Sequence, residues 1–246
     1  MNKKIKNNNM NKKIKNNNLL DWENSYLNKD NFIFYPHEEI IRFISKYIKK
    51  RIGLKNFKFI NQNESKPKIL DIGCGIGRHV KLCNEFNLDA YGFDLSSEAI
   101  KVAKNNFINL DLKDLSDRVI AADIRNLPYK NNFFNYMISH GVLDSMNYDI
   151  ALDGINELHK KLNDSGLIYL DLISTNDHTF TNSKQYDMIV KIKHEENTVQ
   201  SFYDIDRIKK LLKDKFEIIE LYEIINRNIE SNRLLARFHI IAKKII

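Results

Sequence analysis

The chain has 246 residues, 43% of them hydrophobic and 29% charged, a balance that fits one large α/β domain with its own core and argues against wholesale disorder. No apolar run approaches the roughly 20 residues of a bilayer span, and no N-terminal apolar segment marks a secretory signal. Cys74 and Cys83 lack any paired spacing, so neither a disulfide framework nor a zinc module is expected and a reducing, cytoplasmic setting is.

The formal charge of +7 would suggest nucleic acid, but its distribution does not. Residues 1–20 hold six lysines and no acid, and the remainder carries 33 basic against 32 acidic residues. The excess belongs to a tail, so the folded body gives no nucleic-acid signal. That tail is a tandem repeat, Met1–Asn9 recurring as Met10–Asn18. Without a hydrophobic period it reads as disordered, either a duplicated leader or a weak tether to RNA or an anionic membrane.

Residues 21–60 form a helical and aromatic cap. Trp22, Tyr26, Phe32, Phe34 and Tyr35 crowd the stretch before Pro36. A helix follows, with Glu38 and Glu39 in its first turn and Ile40, Ile44, Tyr47 and Ile48 on one face. After a polar linker at 61–67, strands and helices alternate through the main domain, 61–246. Strands are expected near 68–72, 89–93, 118–122, 134–139, 166–172, 217–224 and 235–243. Several are short and continuously apolar, as strands covered on both faces are. Between them, Ser96 or Ser97 caps a helix carrying Ile100, Ala103 and Phe107. A second helix carries Ala151, Ile155, Leu158 and Leu162. Asp204 caps a third, with Ile208, Leu211, Leu212 and Phe216 inward. These units predict a doubly wound, Rossmann-like α/β fold: a seven-stranded, mostly parallel sheet with an antiparallel last strand and helices on both faces. Residues 173–203 are too long for a plain loop and are expected to form a lid or acceptor-binding insertion.

The chemistry concentrates at Lys68–Gly77, KILDIGCGIG, a strand entering a glycine turn. Gly73 permits the tight turn, Gly75 lets backbone approach a ligand, and Gly77 sits where the next helix packs. Asp94 closes the second strand 21 residues after Gly73, the spacing of a ribose-binding acid. Arg78 stands where a dinucleotide fingerprint needs its third glycine. Asp71, before the turn, would repel a pyrophosphate but favour the ammonium and sulfonium of S-adenosylmethionine (SAM).

With these motifs the chain resembles the class I SAM-dependent methyltransferases of the broad small-molecule type, over about residues 66–170 and loosely over the last two strands. The resemblance implies that Asp71, Gly73, Gly75, Gly77 and Arg78 hold the methionine part of SAM. Asp94 would bind the ribose hydroxyls with Leu95 beside the adenine. Asp123 would accept from the adenine amino group while Ile124 packs on the ring. Two positions depart from the family pattern: Asn135 before the fourth strand, and Asn163-Asp164-Ser165-Gly166 in place of a Lys-Pro-Gly-Gly turn.

The fourth strand ends at Ser139-His140-Gly141-Val142-Leu143-Asp144. His140 is a candidate for cofactor contact or for general base with a pKa suited to neutral pH, and Asp144 is a second base candidate. No Asn/Asp-Pro-Pro-aromatic motif follows, which disfavours nucleic-acid amino groups by resemblance. Trp22 and Tyr26, where such enzymes close a lid, and Asp177, His178, His194 and Glu195 on the insertion are candidate acceptor or lid residues; no ligand spacing indicates a metal.

The expected activity is methyl transfer from SAM to a small-molecule acceptor, at oxygen before carbon or nitrogen, releasing S-adenosylhomocysteine (SAH). Two other classes share the layout. A non-catalytic SAM-binding module or partner subunit would carry the same motifs; a nicotinamide-dependent reductase is opposed by Asp71 and Arg78. An aminopropyl-transferring variant lacks an acidic amine-binding pair after the fourth strand.

Overall fold

The computed structural model describes residues 18–60, 66–191 and 195–246. The expected disorder of the tail, most of the 61–67 linker and His194 lie outside these residues.

The first described element, α1 (Leu19–Leu27), is a helix where the sequence shows only an aromatic cluster. Helix α2 (Glu38–Phe43) runs into a π-helical turn at Ile44–Ile48. Ile40, Ile44 and Ile48 are buried as expected, and Phe43 joins them. A small hairpin, β1 (Lys49–Arg51) and β2 (Phe57–Phe59), precedes the main sheet.

From β3 (Lys68–Ile72) the chain turns into α3 (Arg78–Glu85), then β4 (Asp89–Asp94), α4 (Ser97–Asn109), the short α5 (Lys113–Ser116) and β5 (Val119–Ala121). It then crosses to β6 (Phe134–Ser139), α6 (Tyr148–Lys161) and β7 (Leu162–Ile173). The insertion forms α7 (His178–Ser183) and a hairpin of β8 (Asp187–Ile189) and β9 (Val199–Ser201). Helix α8 (Ile205–Leu212) leads to β10 (Phe216–Arg227) and β11 (Leu234–Lys244).

The seven main strands stand in the order β10-β11-β7-β6-β3-β4-β5. Strands β3 to β7 are mutually parallel, and β11 runs antiparallel to both neighbours. The chain winds outward from β3 through β4 to β5, then returns to the other side of β3 with β6. That reversal opens a crevice at the C-terminal ends of β3, β4 and β6, where open α/β sheets bind ligands.

The expected caps form. Ser96 Oγ accepts from the Ala99 N–H at 3.1 Å, and Asp204 Oδ1 from the Arg207 N–H at 2.7 Å. Ile100, Ala103 and Phe107 pack beneath one face of the sheet, and Ala151, Ile155, Leu158, Ile208, Leu211 and Leu212 beneath the other. Two expected boundaries shift, since Leu162 and Phe216 open strands rather than closing helices, though both are buried. The departures from the family pattern behave differently. Asn135 is a strand residue whose side chain accepts from the Lys68 N–H at 2.8 Å, tying β6 to β3. Asn163–Gly166 bulges between the pairs Phe134–Leu162 and Tyr136–Leu167.

Gly77 has φ 89° and lies against the Phe107 ring, which occupies the space a Cβ would need. Gly77→Ala should therefore destabilise the fold by about 2 kcal/mol or more, from left-handed strain plus displacement of a buried ring. Urea denaturation would show a lowered midpoint at unchanged slope.

Candidate active site

A cavity of about 320 Å³ fills the crevice, within the range of small-molecule sites. One end is built around the glycine turn. Asp94, 8% exposed, binds that turn to the next helix: Oδ2 accepts from the Gly75 N–H at 2.8 Å and Oδ1 from the Ser96 N–H at 2.9 Å. Burial pushes its carboxyl up to about 6, against the two N–H groups that favour the anion. Leu95, Ala122 and Ile124 continue this wall. Asp123 also lines it, with both carboxylate oxygens held by Arg125 at 2.9 and 2.6 Å.

Asp71 lies deeper, 2% exposed. Oδ1 stands 3.7 Å from His79 Nδ1, and Oδ2 has no hydrogen-bond partner among the described residues. His79 Nε2 accepts from the His37 N–H at 3.1 Å, so a neutral His79 carries its proton on Nδ1, facing Asp71. A buried carboxylate with an unused oxygen behind a glycine turn suits an ammonium group and repels a phosphate. The residues around the glycine turn therefore fit SAM better than a dinucleotide.

Helix α1 roofs this end. Trp22 and Tyr26 both line the cavity, and a Cβ on Gly75 would lie 2.8 Å from the Tyr26 hydroxyl. Glu23, missed by the sequence reading, fastens the roof. Its carboxylate accepts from the Ser96 and Ser97 hydroxyls at 2.7 and 2.8 Å and from the Ser97 and Glu98 N–H groups at 2.8 and 3.0 Å. An acid at a helix N-terminus satisfies otherwise unpaired donors. Partial burial raises the carboxyl, but these four donors outweigh it and hold the group below the usual glutamate range.

The other end is a charge cluster that the sequence reading saw only in part. Arg237 on β11 donates through Nε to Asp171 at 2.8 Å and through one terminal nitrogen to Asp144 at 2.6 Å. Asp171 is fully buried and also accepts from the Gly141 N–H at 2.7 Å. Burial raises its carboxyl, but Arg237 and His140 bring the net shift below the usual aspartate range. Asp144, 1% exposed, accepts from the Ile173 N–H at 2.9 Å through Oδ2, while Oδ1 has no partner among the described residues. Burial and the neighbouring Asp171 outweigh Arg237 and push its carboxyl up.

His140 corrects one expectation. Its ring packs against His37, tilted by 38° with centroids 3.9 Å apart, and burial pushes its pKa down to about 3, far from neutral pH. Arg78 lies 3.4 Å from Nδ1 and can only donate, which places the ring proton on Nε2, facing Asp171 at 3.4 Å. Nε2 nonetheless makes no hydrogen bond among the described residues.

His178 is another correction. It starts α7, pairs with Asn182 at 3.0 Å and is absent from the cavity wall. Asp177 before it is a helix cap that also accepts from the Ala236 N–H at 3.2 Å. From the insertion, Glu195 and Gln200 line the cavity instead. Among the described residues no cluster has the makings of a metal site, and no helix is long and apolar enough to cross a membrane.

A family model described as a methyltransferase domain matches residues 63–228. An uncharacterized protein of Methanocaldococcus jannaschii is 29% identical over 135 residues, covering 55% of this chain and 52% of that protein. The chain thus spans about half the length, or less, of the first curated relatives it matches. A SAM-dependent methyltransferase of Methanosarcina mazei superposes with a TM-score of 0.60 at 20% identity, over 75% of this chain and 95% of the other. A Burkholderia thailandensis 1,6-didemethyltoxoflavin N1-methyltransferase, solved with 1,6-didemethyltoxoflavin and SAH, gives 0.53 at 15% identity, over 74% and 72%. At these identities the structures speak for the fold.

Loss of the Glu23 fastening should free the roof without disturbing the sheet. In Glu23→Ala, amide exchange over residues 19–27 should rise by about tenfold or more while the β3 to β7 amides keep their protection. Equal protection of α1 in both proteins would show that its packing, not this carboxylate, holds it down.

Proposed function

The chain belongs to the methyltransferase domain family, and from that premise we propose that it transfers the methyl group of SAM to a small-molecule acceptor, at oxygen in the first instance. The observation that carries this reading is Asp71. A buried carboxylate with an unused oxygen directly behind the glycine turn selects a cationic amino-acid moiety over a pyrophosphate. It also sets aside a nicotinamide-dependent reductase.

When bound, SAM supplies a methyl carbon on a sulfonium, which an acceptor lone pair displaces in line while the C–S electrons leave with sulfur. The residues contribute position, dryness and proton handling. Asp71 and Arg78 would orient the amino-acid part; Asp94 would accept both ribose hydroxyls through lone pairs that Gly75 and Ser96 leave free. Leu95 and Ile124 would flank the adenine, with Asp123 accepting from its amino group alongside Arg125. Trp22 and Tyr26 would exclude water from above.

We assign the proton-accepting role to Asp144 rather than His140. Asp144 Oδ1 is unengaged beside the cavity and its affinity for a proton is raised. His140 holds its proton towards Asp171, faces Arg78 with its other nitrogen and is a weak base. It lies between Asp171 and Arg78. A non-catalytic SAM-binding module would not need a carboxylate kept unpaired at the acceptor end.

Calorimetric titration with SAH and with NADH tests the cofactor reading. Micromolar SAH binding lost in Asp94→Ala is expected, whereas preference for NADH would sink it. Since ribose hydroxyls need the ionised carboxylate, SAH affinity should rise with pH to about 6 and level off above it. This slope should vanish in Asp94→Asn.

Asp144→Asn should keep SAH affinity while lowering methyl transfer to a hydroxyl acceptor by about 100-fold. Retained turnover would rule out the proton role.

A further inference from the structure

The small β1–β2 hairpin lies in a strongly basic stretch. Residues 40–68 hold nine basic residues and one acid, Glu64, although the chain beyond residue 20 is nearly balanced. The strand register sorts the hairpin into two faces: Lys49 stands opposite Phe59 and Arg51 opposite Phe57, while Lys50 stands directly opposite Lys58. On the inner face Lys49 is buried, its ammonium 5.0 and 4.4 Å from the Phe57 and Phe59 ring centres, and it donates to the Asn87 carbonyl at 3.4 Å. Phe57 packs in turn on Phe86, with ring centres 5.7 Å apart. On the outer face Lys50 and Lys58 are both exposed, and like charges directly opposite on a ladder repel.

No carboxylate among the described residues relieves that repulsion. The acids flanking Phe86 and Asn87 have their own cations, Glu85 with Lys81 and Asp89 with Arg118, and Glu220 pairs with Lys46. Lys50, Lys55 and Lys58 make no ion pair among the described residues. The charge felt beside Lys49 is a further cation, Lys66, which adds to the lowering of its pKa by burial. Arg51 fastens the turn by donating to the Gly53 and Leu54 carbonyls, and the Ile52 N–H closes it on the Asn56 carbonyl at 2.9 Å. That turn carries Ile52 and Leu54 on either side of Gly53, 61% and 89% exposed.

Aliphatic side chains at the tip of a basic hairpin match an anionic bilayer, whose headgroups attract the lysines and whose interfacial zone accommodates the tip. Single-stranded nucleic acid would also attract the lysines, but it is held by stacking on aromatic faces, and Phe57 and Phe59 are turned inward beneath Lys49. We infer that the β1–β2 hairpin docks the protein on an anionic membrane surface, with Ile52 and Leu54 entering the headgroup region and Lys50, Lys55 and Lys58 meeting lipid phosphates. The hairpin touches Phe86 and Asn87, where the chain enters β4, whereas the crevice lies at the other, C-terminal end of that strand. Docking therefore leaves the crevice free, and the surface is an anchor distinct from the acceptor site. The inference stands independently of the methyl-transfer reading.

Flotation of the full chain with vesicles tests this, using phosphatidylcholine alone or with about 30% phosphatidylglycerol, at about 0.1 M salt. Binding to the anionic vesicles should be about tenfold stronger than to the neutral ones. Replacing both outer-face lysines, Lys50→Gln with Lys58→Gln, should weaken it by about tenfold or more. Leu54→Ser, at a position exposed in the fold, should weaken it by about fivefold. The six lysines of residues 1–20 are the same in every variant, so these differences belong to the hairpin. Leu54→Trp gives a second reading: its emission should move to the blue on anionic vesicles, relative to the native chain with its single tryptophan, Trp22. The inference is overturned if the native chain does not float, if the double lysine variant floats equally, or if the Leu54→Trp emission stays unshifted. Tighter binding to a single-stranded RNA oligonucleotide than to the vesicles, insensitive to Leu54→Ser, would overturn it in favour of a nucleic-acid surface.

Discussion

Four of the five buried aspartates among the described residues, Asp71, Asp94, Asp144 and Asp171, stand at the C-terminal ends of β3, β4 and β7 and on the loop leaving β6. Carboxylates so placed need donors or cations nearby, and much of the local architecture supplies them. Asp94 takes N–H groups from the glycine turn and the α4 N-terminus, which locks those two backbones into one unit. Asp144 and Asp171 share Arg237, a residue from the one antiparallel main strand. Asp71 keeps one oxygen unpaired, as does Asp144.

The parts legible in the sequence were those encoded locally. The strand, glycine turn and distant acid were readable because their geometry depends on short spacing; Gly77, expected against the helix that follows it, meets Phe107 of α4 instead. Capping by Ser96 and Asp204 was readable for the same reason. All seven main strands were expected near where they form, several of them as short apolar runs.

What was hidden depends on distance and on burial. Asp171 sits in a run of apolar strand residues and gives no sign of meeting Arg237, 66 positions later. Glu23 looks like an ordinary helix acid, and only the tertiary fold carries it to the α4 N-terminus. His140 was placed correctly at the strand end, yet residue type reports only the free imidazole, whereas burial, with Arg237, His37 and His79 nearby, pushes its pKa down. Of the insertion residues singled out by type, Glu195 lines the cavity, beside the unforeseen Gln200, while His178 does not.

The placement of Asp171 bears on assembly as well as on chemistry. Until β11 docks, β7 is an open sheet edge of mostly apolar residues, the kind of template on which chains stick to one another. A carboxylate pointing inward from that edge makes such pairing costly for any strand that lacks a matching cation. Strand β11 brings one, at Arg237, and its arrival both closes the edge and neutralises the charge. The acid that shapes the ligand site in the finished protein thus also guards the unfinished sheet against the wrong neighbour.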